Sequence, residues 1–184
     1  MSRGDLGMGG GMADDMNSMA GSGNFDAAGR MNAADTGEVC RQLNSFLRGE
    51  ISAAETYKMA IDKVAKSDEP AATNANLLRE IQAEHGRAAQ ALRDRIRELG
   101  GQASDSSGPW GAWASAVQGT ANLFGDASAL KSLKEGEEHG LKDYTEGIDD
   151  VDMTSADLVS NQLIPAQQRH INLLDQLINA TGRA

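Results

Sequence analysis

Residues 43–57, LNSFLRGEISAAETY, lie on residues 130–144, LKSLKEGEEHGLKDY, with Leu, Ser, Gly, Glu and Tyr in register. The match continues beyond these segments: Gln82 and His85 stand three apart, and so do Gln167 and His170. A repeat of this kind predicts two similar structural halves, related by a pseudo-twofold axis. Any fold proposed for the chain has to build the same unit twice.

The unit is a helical hairpin. Leu43, Leu47, Glu50, Ala54, Tyr57, Ile61 and Val64 fall at alternating steps of four and three, the period of one helix face. They predict a first helix over residues 36–66, broken by SDEPAAT. Thr73 is a good N-cap for a second helix, whose stripe is Leu78, Gln82, His85, Ala89, Leu92 and Ile96, and Gly100 and Gly101 end it. Residues 127–149 predict a third helix, with Leu130, Leu133, Glu137, Leu141, Tyr144 and Ile148 on one face. A fourth begins near Ser155 and carries Leu163, Gln167, His170, Leu174 and Leu177, with Pro165 expected to kink or loosen it one turn before His170. Between the hairpins lies an interrupted apolar segment with Trp110, Trp113, Val117, Leu123 and Phe124. It reads as a short helix crossing the bundle. The expected fold is all-α: four long helices with one long central connection.

Each half also places a carboxylate where the stripe calls for an apolar side chain. Seven residues turn a helix through nearly two revolutions, so Glu50 shares a face with Tyr57, and Glu137 with Tyr144. His85 and His170 take the matching stripe positions on their own helices. Pairing the hairpins symmetrically brings two Glu and two His towards one centre. Buried carboxylates persist only when paired, hydrogen-bonded or bound to a cation. Carboxylate oxygens with neutral imidazoles suit a divalent transition metal such as iron, manganese or zinc. The candidate metal ligands are therefore Glu50, His85, Glu137 and His170. Tyr57 and Tyr144 are placed to hydrogen-bond a Glu across the bundle and orient it, and Glu84, beside His85, is a further acid that a small rotation of its helix would aim inward. His139 falls on the outer side by periodicity and reads as surface.

Composition narrows the function classes. The net charge of −10 over 184 residues argues against a nucleic-acid partner. No run reaches the roughly 20 apolar residues of a membrane span, and no secretory signal opens the sequence, so the expectation is a cytoplasmic protein without a membrane partner. Cys40, the single thiol, reads as a small buried hydrophobe. Residues 1–35 hold eight Gly and six of the eight Met without helical period, including Met8, Met12, Met16, Met19 and Met31. They are expected to be a disordered tail ahead of a bundle spanning 36–184.

At these residues the sequence resembles the ferritin-like superfamily of four-helix bundles, in which helices one and three each give a Glu and helices two and four each give Glu-x-x-His. In bacterioferritin-type members a Tyr follows the first Glu at the spacing found here. More closely, LNSFLRGEISAAETY and LKEGEEHGLKDY are similar to the bacterial DUF2383 family over residues 37–178. The resemblance implies a non-haem iron or other divalent metal site of one or two ions, ferroxidase- or peroxidase-like chemistry in stress, metal or oxidant handling, and a homo-oligomer. This chain has Gln82 and Gln167 where the pattern has the Glu of Glu-x-x-His. On charge grounds its two Glu and two His match one divalent ion better than two. A bundle that has lost its metal and serves as a scaffold or interaction protein is the alternative.

Overall fold

The computed structural model of the chain describes residues 33–64, 72–108 and 127–181. These residues are helical apart from the segment after the second helix and short turns, and they contain no strand. The helices are α1 (Ala33–Val64), α2 (Ala72–Glu98), α3 (Ala127–Gly147), α4 (Met153–Leu158) and α5 (Ile164–Thr181). A π turn, Val159–Leu163, joins α4 to α5, so the two make the fourth helix of the bundle. α1 takes in residues 33–35 of the stretch read as a tail, and the rest of that reading, residues 1–32, and the crossover helix over 109–126 lie outside the described residues.

The helix ends follow from local chemistry. Gly100, at φ 76°, takes the left-handed conformation that a side chain disfavours. Its N–H donates to Arg97 O at 2.9 Å, and that of Gly101 to Ile96 O at 2.9 Å, closing α2 at the predicted point. The fourth helix starts two residues before the expected Ser155. Asp152 is its N-cap, accepting from the backbone of Thr154 and Ser155 and from the Ser155 hydroxyl. The sequence reading missed it because Thr154 and Ser155 are equally good caps by residue type. Arg95 then clamps this start onto α2, donating to Asp152 Oδ1 at 2.7 Å and to Ser155 Oγ at 2.9 Å.

Ahead of Pro165 the helix loosens, as expected, by widening into the π turn. Ile164 N–H reaches back five residues to Val159 O, immediately before the proline. A wider turn accommodates a residue that lacks an N–H and crowds the preceding turn. Val159 and Leu163 remain buried through the turn, and Gln167, His170 and Leu174 follow on the same side.

Most of the predicted stripe residues are buried, while Ala54, Gln82, Leu141, Ile148 and Leu177 are half-buried. Tyr57, Ala60, Ile61, Ala75, Leu78, Ile81, Ala129, Leu130, Leu133 and Leu174 pack into one cluster. Leu43, Phe46, Leu47, Leu92, Ile96, Val159 and Leu163 are buried as well. Ile81, not Gln82, takes the stripe position on α2, and Gln82 is only half-buried. After α2 the chain runs along α1, where Asn44 donates to Gln102 O at 2.9 Å and accepts from Ser104 N at 2.7 Å. No described helix is long and apolar enough to cross a membrane.

Replacing Asp152 by alanine removes a cap and leaves Arg95 with Glu98 as its remaining carboxylate. We expect Asp152→Ala to lose about 1–2 kcal/mol in urea unfolding, with helix content in the native baseline unchanged.

Candidate metal centre

Four helices contribute to a polar centre enclosed by the apolar layers. Glu50, Tyr57, His85, Glu137, Tyr144, Gln167 and His170 are each at most 5% exposed, so every charge here must find a protein partner. The tyrosines meet the demand reciprocally. Tyr57 of the first hairpin donates to Glu137 Oε1 at 2.5 Å, and Tyr144 of the second donates to Glu50 Oε1. Each repeat thus supplies the donor for the other repeat's carboxylate. Burial, and then the adjacent carboxylate, push both phenols well above their ordinary value, so they stay protonated donors.

His85 stands between the two acids, with Nδ1 2.8 Å from Glu50 Oε2 and Nε2 3.0 Å from Glu137 Oε1. Only a protonated ring donates at both nitrogens. Burial alone pulls its pKa down, but Glu137 and Glu50 together outweigh that and hold it at about 10. Burial likewise pushes the Glu137 carboxyl up, while His85 and His170 bring it down to about 2. The ring of His85 also stacks on Tyr57 and meets the edge of His170, with centroids 5.4 and 4.9 Å away.

The second histidine departs from the twofold pattern. His170 Nδ1 lies 3.3 Å from Glu137 Oε2, but its Nε2 lies 3.0 Å from Glu84 Oε2 rather than against Glu50. Glu84 is half-buried and accepts from Arg169 at 3.1 Å as well. Its carboxyl, which partial burial would raise, is lowered by His170 and Arg169. The centre therefore reads, across the bundle, Glu50–His85–Glu137–His170–Glu84. Each imidazole turns one nitrogen to Glu137 and the other to an outer carboxylate.

The two glutamines, equivalent by sequence, are not equivalent in space. Gln167 Nε2 donates to Glu137 Oε2 at 2.5 Å and to Glu137 O at 2.9 Å, two acceptors that together identify the nitrogen. Gly140 makes room for it, since a Cβ there would lie 2.8 Å from Gln167 Nε2. Gln82 takes no part in this network. Side-chain atoms of His85, Glu137 and His170 lie within 4.8 Å of one another. Of the four candidate ligands these three converge, and Glu50 reaches them through His85.

A family profile described as a domain of unknown function, DUF2383, matches residues 38–150. The chain belongs to the DUF2383 family. Among solved structures it is similar to one titled a ferritin-like, diiron-carboxylate protein from Bacillus anthracis str. Ames, with 18% identity, 80% of this chain and 99% of that chain covered, and a TM-score of 0.63. The fold of this DUF2383 protein is accordingly the ferritin-like bundle. No curated protein matches it.

In metal-free protein His85 and Glu137 stabilise the fold over a bounded pH range. The His85 contribution is complete below its ordinary 6.5 and is lost as pH rises through about 10. The Glu137 contribution is complete above its ordinary 4.5 and is lost as pH falls through about 2. Urea midpoints of the metal-free chain should therefore fall off on both limbs. In His85→Gln the alkaline limb should flatten.

Proposed function

We propose that this DUF2383 protein is a ferritin-like bundle that binds one divalent metal ion, iron being the best match, with His85, Glu137 and His170 as ligands. The observation that carries the reading is the pair of outer carboxylates. An imidazole that ligates a metal through one nitrogen donates from the other to a carboxylate, which fixes its tautomer and raises its basicity. Glu50 stands in that relation to His85, and Glu84 to His170. Both inner nitrogens face the Glu137 carboxylate, and two imidazoles with one carboxylate form a donor set suited to ferrous iron.

The same residues fit a second ion poorly. One divalent cation balances the buried Glu50 and Glu137, with both histidines neutral. A second would leave two positive charges unopposed in a dry core. Where a bridging carboxylate would be needed, the amide nitrogen of Gln167 points at Glu137, and an amide N–H does not ligate. Glu50, a candidate ligand by sequence, is better suited to orienting His85.

A bound iron would supply electron transfer to dioxygen or peroxide, and we read the protein's role as metal or oxidant handling of that class. The chain's own residues would then hold the ion dry, set its geometry and keep two phenol protons at the carboxylates. Glu137 accepts from Tyr57, His85, Gln167 and His170, which occupies its lone pairs. That saturation favours the second reading, a metal-free bundle whose polar centre only specifies how the helices pair. Under the first reading His85 and His170 would release to solvent the protons on the nitrogens that face Glu137, and the Gln167 contact would loosen.

Metal analysis of protein purified without chelator, followed by titration with ferrous iron under argon, separates the readings. We expect close to one ion per chain, lost in His170→Ala and weakened roughly 10–100-fold in Glu84→Gln. No binding to the intact chain would leave the scaffold reading.

A further inference from the structure

Between α1 and α3 a groove of ≈ 70 Å³ leads from the surface down to Glu50, His85 and Glu137. Small residues line part of it, Gly49 and Ala53 from α1 and Gly136 and Gly140 from α3, beside larger ones such as Phe46, Tyr57, Leu133 and Tyr144. A Cβ built on Gly49 meets none of the described residues within 4 Å. Gly49 and Gly136 also match in the sequence repeat, one residue before each buried Glu. A helical glycine weakens its helix relative to any side chain that fits. Two of them lining this groove are accounted for if it has to stay open.

The mouth has a distinct chemistry. His139 and Asp143 line it one turn apart on α3, with Nε2 and Oδ2 3.7 Å apart and side chains 43% and 31% exposed. Residues four apart on a helix present their side chains to one point, and an imidazole with a carboxylate there can hold a divalent cation through two ligands. The protein is acidic overall, which favours the approach of a cation to this face.

We propose that a divalent cation reaches the buried centre through the groove between α1 and α3, captured first by His139 and Asp143 at its mouth. This rests on the metal-binding reading above. The mouth pair holds the ion loosely while it sheds water. The passage then lets it reach Glu137 and the ring of His85 without the helices separating. His139, a surface residue by helical periodicity, thereby has a role in loading rather than in the site itself.

Loading the full-length chain with cobalt(II), followed by its visible bands in a stopped-flow instrument, tests this. Gly49→Leu fills the groove without touching a ligand, and Gly49→Ala narrows it with the least risk to folding. His139→Ala and Asp143→Asn remove the mouth pair. We expect all four variants to keep the wild-type stoichiometry and final spectrum. Loading should slow roughly tenfold in Gly49→Leu and in each mouth variant, with a smaller effect in Gly49→Ala. Wild-type rates in the Gly49 variants would overturn the groove as the route. Slow loading in Gly49→Leu alone, with the mouth variants unaffected, would overturn the capture role. A wild-type chain that takes up no cobalt would overturn the metal-binding reading and this one together.

Discussion

Glu137 is a buried carboxylate, and it draws a tyrosine from α1, a histidine from α2, and a glutamine and a histidine from α5 onto its two oxygens. Removing such a charge from water is very unfavourable unless donors surround it in good geometry. Those donors sit on three other helices, so the requirement is met only when all four pack in one register. The apolar layers on either side supply most of the driving force for collapse. They would tolerate sliding by a turn more readily than the polar centre would. One buried acid thus turns a generic association of greasy helix faces into a single arrangement.

The repeat implies a symmetric centre, and the structure builds one only in part. The tyrosines obey the twofold, each donating to the other hairpin's glutamate. The histidines do not, because His170 reaches Glu84 where symmetry would have it reach Glu50. The glutamines do not either: Gln167 enters through the space Gly140 leaves, while Ile81 takes the buried place beside Gln82. The fourth helix, with its π turn before Pro165, also has no counterpart in α2. The result is a centre with one focal carboxylate instead of two equivalent ones, which matches it to one cation. Asymmetry also divides the surroundings. The groove opens on the α1 and α3 side, whereas the Glu84 and Arg169 pair closes the α2 and α5 side.

Much of this was legible beforehand, for identifiable reasons. The stripe through Leu43, Leu47, Glu50 and Tyr57 has the helical period, and its duplication in residues 130–144 made the acid at Glu50 and Glu137 hard to dismiss as noise. Gly100 announced the end of α2 because few other residues accept its backbone angle. Gln82 was misplaced because a step of three or four leaves two adjacent residues competing for the stripe, and burial favours isoleucine over an amide. Glu84 was visible only as an acid beside a histidine. Its partner, His170, is 86 residues away, and no local pattern carries that information.

The amino-acid order by itself determined the helices, their apolar faces, the duplication and the four residues that had to find one another in the core. These are short-range properties, set by periodicity and by the free-energy cost of leaving a stripe exposed or a carboxylate unpaired. Which nitrogen faces which oxygen, that Glu50 orients while Glu137 gathers, that one glutamine enters and its twin does not, and that glycines leave a passage to the surface were decided only in the tertiary structure. Those outcomes depend on helix rotation and approach at the scale of a single side chain, and many long-range contacts settle them jointly.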